Sequence, residues 1–481
     1  MILENCEPKR VFHHFEAISQ IPRGSGNEKA VSDFIADFAG GLGLKYVQDD
    51  SHNLIIYKPG TSGYENSEPI ILQGHLDMVC EKNADTIHDF LKDPIKLYVD
   101  GDYLKAKGTT LGADNGIAVA FCMALLEEST IAHPPLEIVL TSDEEAGMTG
   151  AFNLDGNLLK GRRMINLDSG SVGTFTAGSA AASTVEFEIP TMTQSGKGLE
   201  AYTVTVKGLQ GGHSGGDIKL ERGNAIRILG SMLNAMDKAA LVYLVDIQGG
   251  MKVNAIPREA SATIAIEPES KATIEEAFRA HVAKQALFFR VADPDISITM
   301  EPTHAVDEVL DFESGAGLIW SLLLLPNGVQ TMSRDIEGLV SASCNIGVIE
   351  TLDESIKVSC MPRGASAEYI QQTEDKINAL AQITEAEVMF AHRSPAWAFN
   401  PDSPILKKVA SYYKEIHGDE PKIVAMHGGL ECGIFAEKLP GLDIVAMGPN
   451  MYDLHTPQER LSISSTEVIW KLLCGVLGEM K

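Results

Sequence analysis

Up to about residue 180, apolar runs of strand length alternate with longer segments whose apolar residues recur at helical spacing. The order is helix EKAVSDFIADFAGGLG, strand NLIIYK, strand IILQGHLDMV, helix GIAVAFCMALLEES and strand LEIVLTSDEE. Alternation of this kind is typical of an α/β domain, in which helices cover the faces of a sheet. We therefore expect a mixed, largely parallel sheet with helices on both faces.

The pattern of apolar and polar positions changes near residue 183, and the earlier pattern returns near residue 394. Strands such as AYTVTVKG alternate polar and β-branched residues with apolar ones. After the Pro- and Ser-containing segment HRSPAWAFNPDSP, the helix ILKKVASYYKEIHG and the apolar runs KIVAM and LDIVAM resemble the first domain again. We predict one domain formed by residues 1–183 and 394–481, with an α+β domain of residues 184–393 inserted into it.

Two parts of the insertion have a similar order of helices and strands. The first contains NAIRILGSMLNAMD, LVYLVDIQGG, REASATIAIEP, KATIEEAFRAHVAKQALFF and ISITMEP. The second contains GAGLIWSLLLL, CNIGVIETL, ESIKVSCMP, SAEYIQQTEDKINALAQI and EAEVMF. This similarity predicts an internal repeat, in which Asn254 and Asn345 hold corresponding places and each copy is an antiparallel sheet backed by two helices. Coincidence is the alternative.

Composition narrows the class of partner. The chain has 481 residues, which favours two domains, and its formal charge of −27 disfavours nucleic acid and anionic membranes. The N-terminal sequence has no basic region followed by an apolar one, and no apolar run approaches the roughly 18 residues of a spanning helix. We expect a cytoplasmic protein with a small-molecule substrate, and a homodimer is possible.

Five potential metal ligands lie just beyond the apolar runs or in a glycine-flanked loop: His75, Asp114, Glu145, Asp168 and His455. The carboxyl ends of parallel strands meet at one edge of a sheet, where ligands bind. Residues that are far apart in sequence can therefore converge there. The loop GTTLGADNG places Asp114 immediately before an apolar helix, so that its carboxylate faces this edge. The sequence predicts a metal site.

Two divalent cations about 3.5–4 Å apart require a bridging carboxylate, because they otherwise repel each other. Asp114 is the candidate bridge. One ion would take His75 and Asp168, and the other would take Glu145 and His455. Mixed imidazole and carboxylate ligands suit zinc, and cobalt or manganese would also fit.

Two further carboxylates complete a hydrolytic site. Glu144 precedes the ligand Glu145 and could take a proton from the attacking water and pass it to the leaving amine. Asp77, two residues after His75, could fix the tautomer of that imidazole by a hydrogen bond. The alternative for Asp77 is a strand-end carboxylate that caps a turn.

Seven motifs together resemble the blocks of the di-zinc peptidase family that includes aminoacylase, carboxypeptidase G and carnosinase. They are GHLDMV, GTTLGADNG, TSDEEAGMTGA, NLDSG, GGHSGGDI, HGGLECG and LHTPQERLS, and the match runs from about residue 10 to the C-terminus. The resemblance implies the same five ligands, catalytic roles for Asp77 and Glu144, and a lid domain that interrupts the catalytic domain. It also implies a cis peptide bond between Asp114 and Asn115.

The resemblance also implies roles for residues of the lid. His213 in GGHSGGDI would donate a hydrogen bond to the oxyanion, although a solvated histidine in a glycine-rich turn is the alternative. Asn254 and Arg363 resemble residues that hold the substrate and its terminal carboxylate, and a surface ion pair is the alternative for Arg363. Outside the lid, Glu431 in the glycine-rich turn HGGLECG of the first domain could face the substrate ammonium.

More narrowly, the chain resembles the branch of this family that cleaves dipeptides. We therefore expect a dipeptidase that hydrolyses unblocked dipeptides, including Xaa-His substrates such as β-alanyl-histidine, with a metal-bridged hydroxide as nucleophile. An N-acyl amino acid deacylase or an aminotripeptidase of the same family is the nearest alternative. A non-catalytic binding protein, or a two-metal phosphatase or nuclease, is disfavoured by the intact Glu144 and by the acidic surface.

Overall fold

The computed structural model describes residues 2–481. The helices are α1 (Lys9–Ile18), α2 (Lys29–Gly41), α3 (Ala113–Glu127), α4 (Thr149–Asn153), α5 (Ala225–Asp237), α6 (Lys271–Phe288), α7 (Phe312–Leu324), α8 (Ala367–Thr384), α9 (Pro404–His417), α10 (Glu431–Lys438) and α11 (Ile463–Gly478).

The strands up to residue 207 are β1 (Lys45–Gln48), β2 (Leu54–Lys58), β3 (Ile70–His75), β4 (Leu97–Asp100), β5 (Tyr103–Ala106), β6 (Leu136–Thr141), β7 (Arg163–Asn166), β8 (Thr174–Ser179), β9 (Ala181–Pro190), β10 (Thr193–Ser195) and β11 (Glu200–Lys207). The later strands are β12 (Gly212–His213), β13 (Tyr243–Gly249), β14 (Ala255–Ile256), β15 (Ala260–Ile266), β16 (Ser297–Pro302), β17 (Glu308–Leu310), β18 (Gly328–Met332), β19 (Val340–Thr351), β20 (Ser355–Gly364), β21 (Glu387–Ser394), β22 (Lys422–Met426), β23 (Asp443–Ala446), β24 (Met451–Tyr452) and β25 (Arg460–Ser462).

The chain forms two compact units. The first comprises Met1–Gly178, Phe399–Ala425 and Leu430–Lys481, and the second comprises Ser179–Ala398 and Met426–Gly429. The sequence-based boundaries were placed at 183 and 394, and the short return of residues 426–429 to the second unit was not anticipated. Among residues 2–481, we find no helix whose length and apolar content would let it cross a bilayer.

A mixed sheet forms the centre of the first unit, with strand order β1-β2-β6-β3-β7-β23-β8-β22. The four inner strands β6, β3, β7 and β23 are parallel, whereas β1, β2 and β8 pair antiparallel with their neighbours. The mixed α/β class is therefore confirmed. Consecutive residues of β3 such as Ile71 and Leu72 are both fully buried, so both faces of the sheet are covered.

Helix α3 lies deep in this unit. Its residues from Ile117 to Leu126 are all buried, which explains why its apolar residues show no single helical stripe. Its first turn departs from helical geometry at Asp114 and Asn115. The peptide bond between these two residues is cis, as the family resemblance implied.

The second unit is an antiparallel sheet with helices packed against it. Its strand order is β16-β11-β15-β13-β19-β20-β9-β21, with β18 paired to β19. Strand β9 alternates buried and partly exposed residues along its length, as expected when one face of a sheet packs on helices. Along the chain, the order α5, β13, β15, α6, β16 is followed by α7, β19, β20, α8, β21. The α+β architecture agrees with the alternating pattern of the sequence.

Candidate metal centre and active site

The ligand candidates of the first unit converge at the carboxyl edge of its parallel strands. His75 is the last residue of β3, while Glu145 and Asp168 follow shortly after β6 and β7. These three strands are parallel neighbours, so their carboxyl ends share one edge. Asp114 lies in the first turn of α3, and His455 lies in the loop between β24 and β25. The structure thus brings together the five residues that the sequence selected.

Asp114 lies between the two histidines. Its Oδ1 is 3.2 Å from Nε2 of His75, and its Oδ2 is 3.4 Å from Nε2 of His455. The Nε2 of His75 is also 3.8 Å from Oδ1 of Asp168, and the Nε2 of His455 is 3.0 Å from Oε1 of Glu145. The ligand atoms therefore form two triads, each within 4.8 Å, and Asp114 belongs to both. This is the arrangement that a bridging carboxylate requires.

The electrostatics of the two triads fit divalent cations. The carboxylate of Asp114 raises the pKa of His455 to about 10. Burial lowers the pKa of His75, yet Asp168 and the other nearby carboxylates hold it well above its usual value. Oε1 of Glu145 is buried and makes no hydrogen bond within residues 2–481, so its contact with His455 is an ion pair only. Imidazole and carboxylate donors in a site that favours positive charge suit zinc.

Asp77 connects the ligand His75 to the loop that carries Glu144 and Glu145. It is fully buried, and its Oδ1 lies 3.3 Å from Nδ1 of His75. The Ser25 hydroxyl donates to it at 2.8 Å, and the backbone N–H groups of Glu144 and Glu145 donate at 3.1 and 3.2 Å. Burial opposes ionisation, but the His75 imidazole and, to a smaller extent, these donors lower the pKa of Asp77 to about 2. Asp77 thus orients both the imidazole and the paired glutamates.

Glu144 lies beside the triads without belonging to either. It can join His75 and Glu145 in a third group of close ligand atoms, so a ligand role is the competing assignment. Burial, together with the carboxylates of Glu431 and Glu145, raises the pKa of Glu144 to about 8, although His75 opposes the shift. A half-buried carboxyl that neither triad uses is available to carry a proton.

Glu431 begins α10 and is almost fully buried at the same edge of the sheet. Its Oε2 accepts hydrogen bonds from Gln73 Nε2 at 2.6 Å and from Thr141 Oγ1 at 2.7 Å. Its Oε1 is buried and has no partner among the described residues. Burial raises the pKa of Glu431 to about 7. One oxygen is therefore held by the strands, and the other is available to a ligand.

In the second unit, the structure places the three predicted lid residues in one cluster. His213 pairs with Ala255 between β12 and β14, and the Ser214 N–H donates to the Asn254 carbonyl at 2.9 Å. Nε of Arg363 donates to Ser214 Oγ at 3.3 Å. Arg363 is buried, and burial lowers the pKa of its guanidinium to about 10. His213 is exposed, and its Nδ1 accepts the backbone N–H groups of Gly215 and Gly216, each at 3.2 Å.

Two buried charged residues contact the ligand segments and were missed by the sequence analysis. Arg23 is 2% exposed and Glu459 is 3% exposed. Glu459 lies four residues after His455, within the motif LHTPQERLS. The sequence signal for Glu459 was its nearness to His455. Charged residues are usually solvated, however, so Glu459 resembled a surface residue.

Known proteins resemble this chain in sequence and in fold. The model of peptidase family M20/M25/M40 matches residues 71–479. Cytosol non-specific dipeptidase from Escherichia coli (strain K12) is 36% identical over 485 aligned residues, which cover 99% of each chain. The crystal structure of aminoacylhistidine dipeptidase from Vibrio alginolyticus has a TM-score of 0.93 and 36% identity, with 100% of this chain and 98% of that chain covered. Aminopeptidase PepT from Bacillus cereus, at 15% identity and a TM-score of 0.59 with 99% of each chain covered, shares the fold alone.

Proposed function

The chain belongs to peptidase family M20/M25/M40, and from this premise we propose that it is a metal-dependent dipeptidase. The motif-based resemblance to this family is thereby confirmed. The enzyme hydrolyses the peptide bond of unblocked dipeptides, including Xaa-His substrates such as β-alanyl-histidine. The main structural support for metal-dependent hydrolysis is the pair of ligand triads that share Asp114. The substrate class rests on the two full-length relatives, whose names describe dipeptidases.

Five side chains would hold two divalent ions, with zinc the best match to the donors and cobalt or manganese also suitable. His75, Asp114 and Asp168 would hold one ion, and Asp114, Glu145 and His455 would hold the other. When bound, such ions polarise the scissile carbonyl and make water a stronger nucleophile at neutral pH.

Three further residues of the first unit contribute to the reaction, and one of them does so only by positioning a proposed metal ligand. Glu144 accepts the proton of the attacking water on its carboxylate and returns it to the nitrogen of the departing amine. Asp77 keeps Nδ1 of His75 protonated, so that Nε2 faces the ligand triad. The buried Oε1 of Glu431 receives the free ammonium of the substrate, which favours unblocked amino termini.

Residues of the second unit bind the rest of the dipeptide. His213 donates a hydrogen bond to the oxyanion of the tetrahedral intermediate. Arg363 holds the terminal carboxylate through its guanidinium, and Asn254 assists through its side-chain amide. The inserted domain would limit the length of the substrate.

These roles assign the first unit as the catalytic domain and the second unit as the inserted lid. The repeated order of helices and strands in the second unit supports an internal repeat of the lid. We place the enzyme in the cytoplasm, in agreement with the word "cytosol" in the name of the E. coli relative.

A substrate panel tests this function. We expect zinc-supplemented protein to cleave alanyl-histidine and β-alanyl-histidine, and to leave N-acetyl-alanyl-histidine, alanyl-alanyl-histidine and a generic phosphate ester essentially intact. Preferred cleavage of the acetylated peptide would instead indicate a deacylase, and preferred cleavage of the longer peptide would indicate an aminotripeptidase. The absence of hydrolysis of all these peptides with two metals bound would reject the proposal.

A further inference from the structure

Four consecutive backbone N–H groups in the loop that carries Asp114 donate to one buried carboxylate, that of Glu459. The distances are 2.7 Å from Leu111 and 3.0 Å from Gly112 to Oε2, and 2.8 Å from Ala113 and 3.3 Å from Asp114 to Oε1. Each oxygen therefore receives two N–H donors. Because Glu459 lies four residues after His455, this contact joins the segment of one ligand to the segment of another.

Arg23 makes the complementary contact with the carbonyl groups of the same region. Its Nη2 donates to the Gly112 carbonyl, and its Nη1 donates to the carbonyls of Leu76 and Asp77 at 2.8 and 3.0 Å. The planar guanidinium can serve three acceptors at once, which a lysine ammonium on a flexible stem does less well. The segment that follows His75 is thereby joined to the loop of Asp114.

The fold makes room for this contact at Gly112. The residue has φ +70°, and a Cβ there would lie 2.6 Å from Nη2 of Arg23 and 2.6 Å from Sδ of Met78. A side chain at this position would push the guanidinium away from the loop. The glycine that precedes Asp114 therefore permits both the turn and the approach of Arg23.

We propose that Glu459 and Arg23 are positioning residues, which fix the three ligand-bearing segments relative to one another so that Asp114 can serve both metals. The inference rests on the proposed two-metal function. Burial of a charge is costly unless the charge is fully hydrogen-bonded. The hydrogen bonds of Glu459 and Arg23 to backbone groups therefore fix the positions of the loops more than they add to the net stability of the fold. Asp114 belongs to both triads, and a shift of its loop would therefore impair both ions.

Glu459→Gln is the direct test, and Glu137→Gln is its matched control. Glu137 is also 3% exposed, and it accepts the backbone N–H groups of Lys160 and Gly161 at 3.0 Å. It lies at the amino end of β6, whereas the ligands lie at the carboxyl edge. Both substitutions weaken the same kind of buried contact, but only one of them is next to the metal ligands.

We expect both variants to lower the melting temperature of metal-free protein, and only Glu459→Gln to weaken zinc binding, by about 10- to 100-fold. Zinc affinity is measured by competition with a chelating dye, and independently by the rise in melting temperature with zinc concentration, which depends on affinity. We also expect a lower kcat at limiting zinc that recovers partly at excess zinc, with KM for β-alanyl-histidine little changed.

Wild-type zinc affinity in folded Glu459→Gln would overturn the inference, as would an equal loss of affinity in Glu137→Gln. If Glu459→Gln does not fold, Glu459→Asp and Arg23→Lys serve as second variants. Both keep the charge, but the first shortens the side chain and the second replaces the planar guanidinium with a single ammonium. The same selective loss is expected of them, and wild-type affinity in either would overturn the inference. A wild-type protein that binds no zinc or cleaves no dipeptide would instead reject the proposed function itself.

Discussion

Replacement of Glu144 separates the proton-transfer role from a ligand role, because the two roles predict different metal contents. Glu144 is absent from the two triads that share Asp114, yet it can form a third group with His75 and Glu145. If Glu144 carries the proton, Glu144→Gln keeps the volume and removes the basic oxygen, so both metals should stay bound. If it is a ligand, the substitution should release metal.

The expected loss follows from the chemistry that is removed. A positioned general base contributes about 10²- to 10⁴-fold to a rate, which corresponds to about 3–5 kcal/mol of transition-state stabilisation. We expect kcat for β-alanyl-histidine to fall by that factor, with KM nearly unchanged. The neighbouring Glu145→Gln should behave differently, because Glu145 belongs to a triad: zinc content should fall, and excess zinc should restore part of the activity.

The assay combines steady-state kinetics with metal content from elemental analysis of the same dialysed samples. Glu144→Ala serves as a second variant that cannot accept a proton. Full turnover in either Glu144 variant with two metals bound would refute the assignment of this residue as the base. A loss of one metal equivalent in Glu144→Gln would refute its place outside the ligand set.

Further predictions concern the residues that hold the site. Asp77→Asn should lower zinc affinity by about 10- to 100-fold, as measured by dye competition, because the variant side chain cannot accept all the donors that the carboxylate now accepts. Glu431→Gln should lower kcat/KM for free dipeptides by about 10- to 100-fold, because a charged hydrogen bond to the substrate ammonium is worth about 1.5–3 kcal/mol; wild-type kcat/KM in the folded variant would argue against ammonium recognition. Gly112→Ala should lower the free energy of unfolding in urea by about 1–3 kcal/mol more than Gly43→Ala does. Gly43 has a similar positive φ, but a Cβ added there would have no atom within 4 Å. Equal losses in the two variants would show that contact with Arg23 is unimportant.

The convergence of the candidate ligands could be predicted because four of the five lie at places that the sequence pattern defines. His75, Glu145 and Asp168 end or follow short apolar runs, and such runs were recognisable as buried parallel strands. Asp114 precedes a long apolar helix in a glycine-flanked loop. A metal site could therefore be proposed from strand ends and residue types before any distance was known.

The contacts of Arg23 and Glu459 could not be predicted in the same way. Both side chains bind backbone atoms, and backbone groups leave no residue-specific trace in the sequence. The sequence predicted a mixed sheet but did not show which strands would be antiparallel, as β8 is to β23. Strand direction depends on connections that are far apart in the chain.

The carboxylates gathered at this sheet edge differ in what balances their charge. Uncharged N–H and O–H donors serve Glu459 and contribute much of what Asp77 accepts, so these two remain satisfied whether or not a cation is present. Asp114 and Glu145 have mainly imidazoles as partners, and Glu145 keeps a buried oxygen without a hydrogen bond within residues 2–481. The second group therefore depends on nearby positive charge for its balance, and the first group depends on it less. The first group sets the positions, and the second group provides the negative charge that two divalent ions would neutralise.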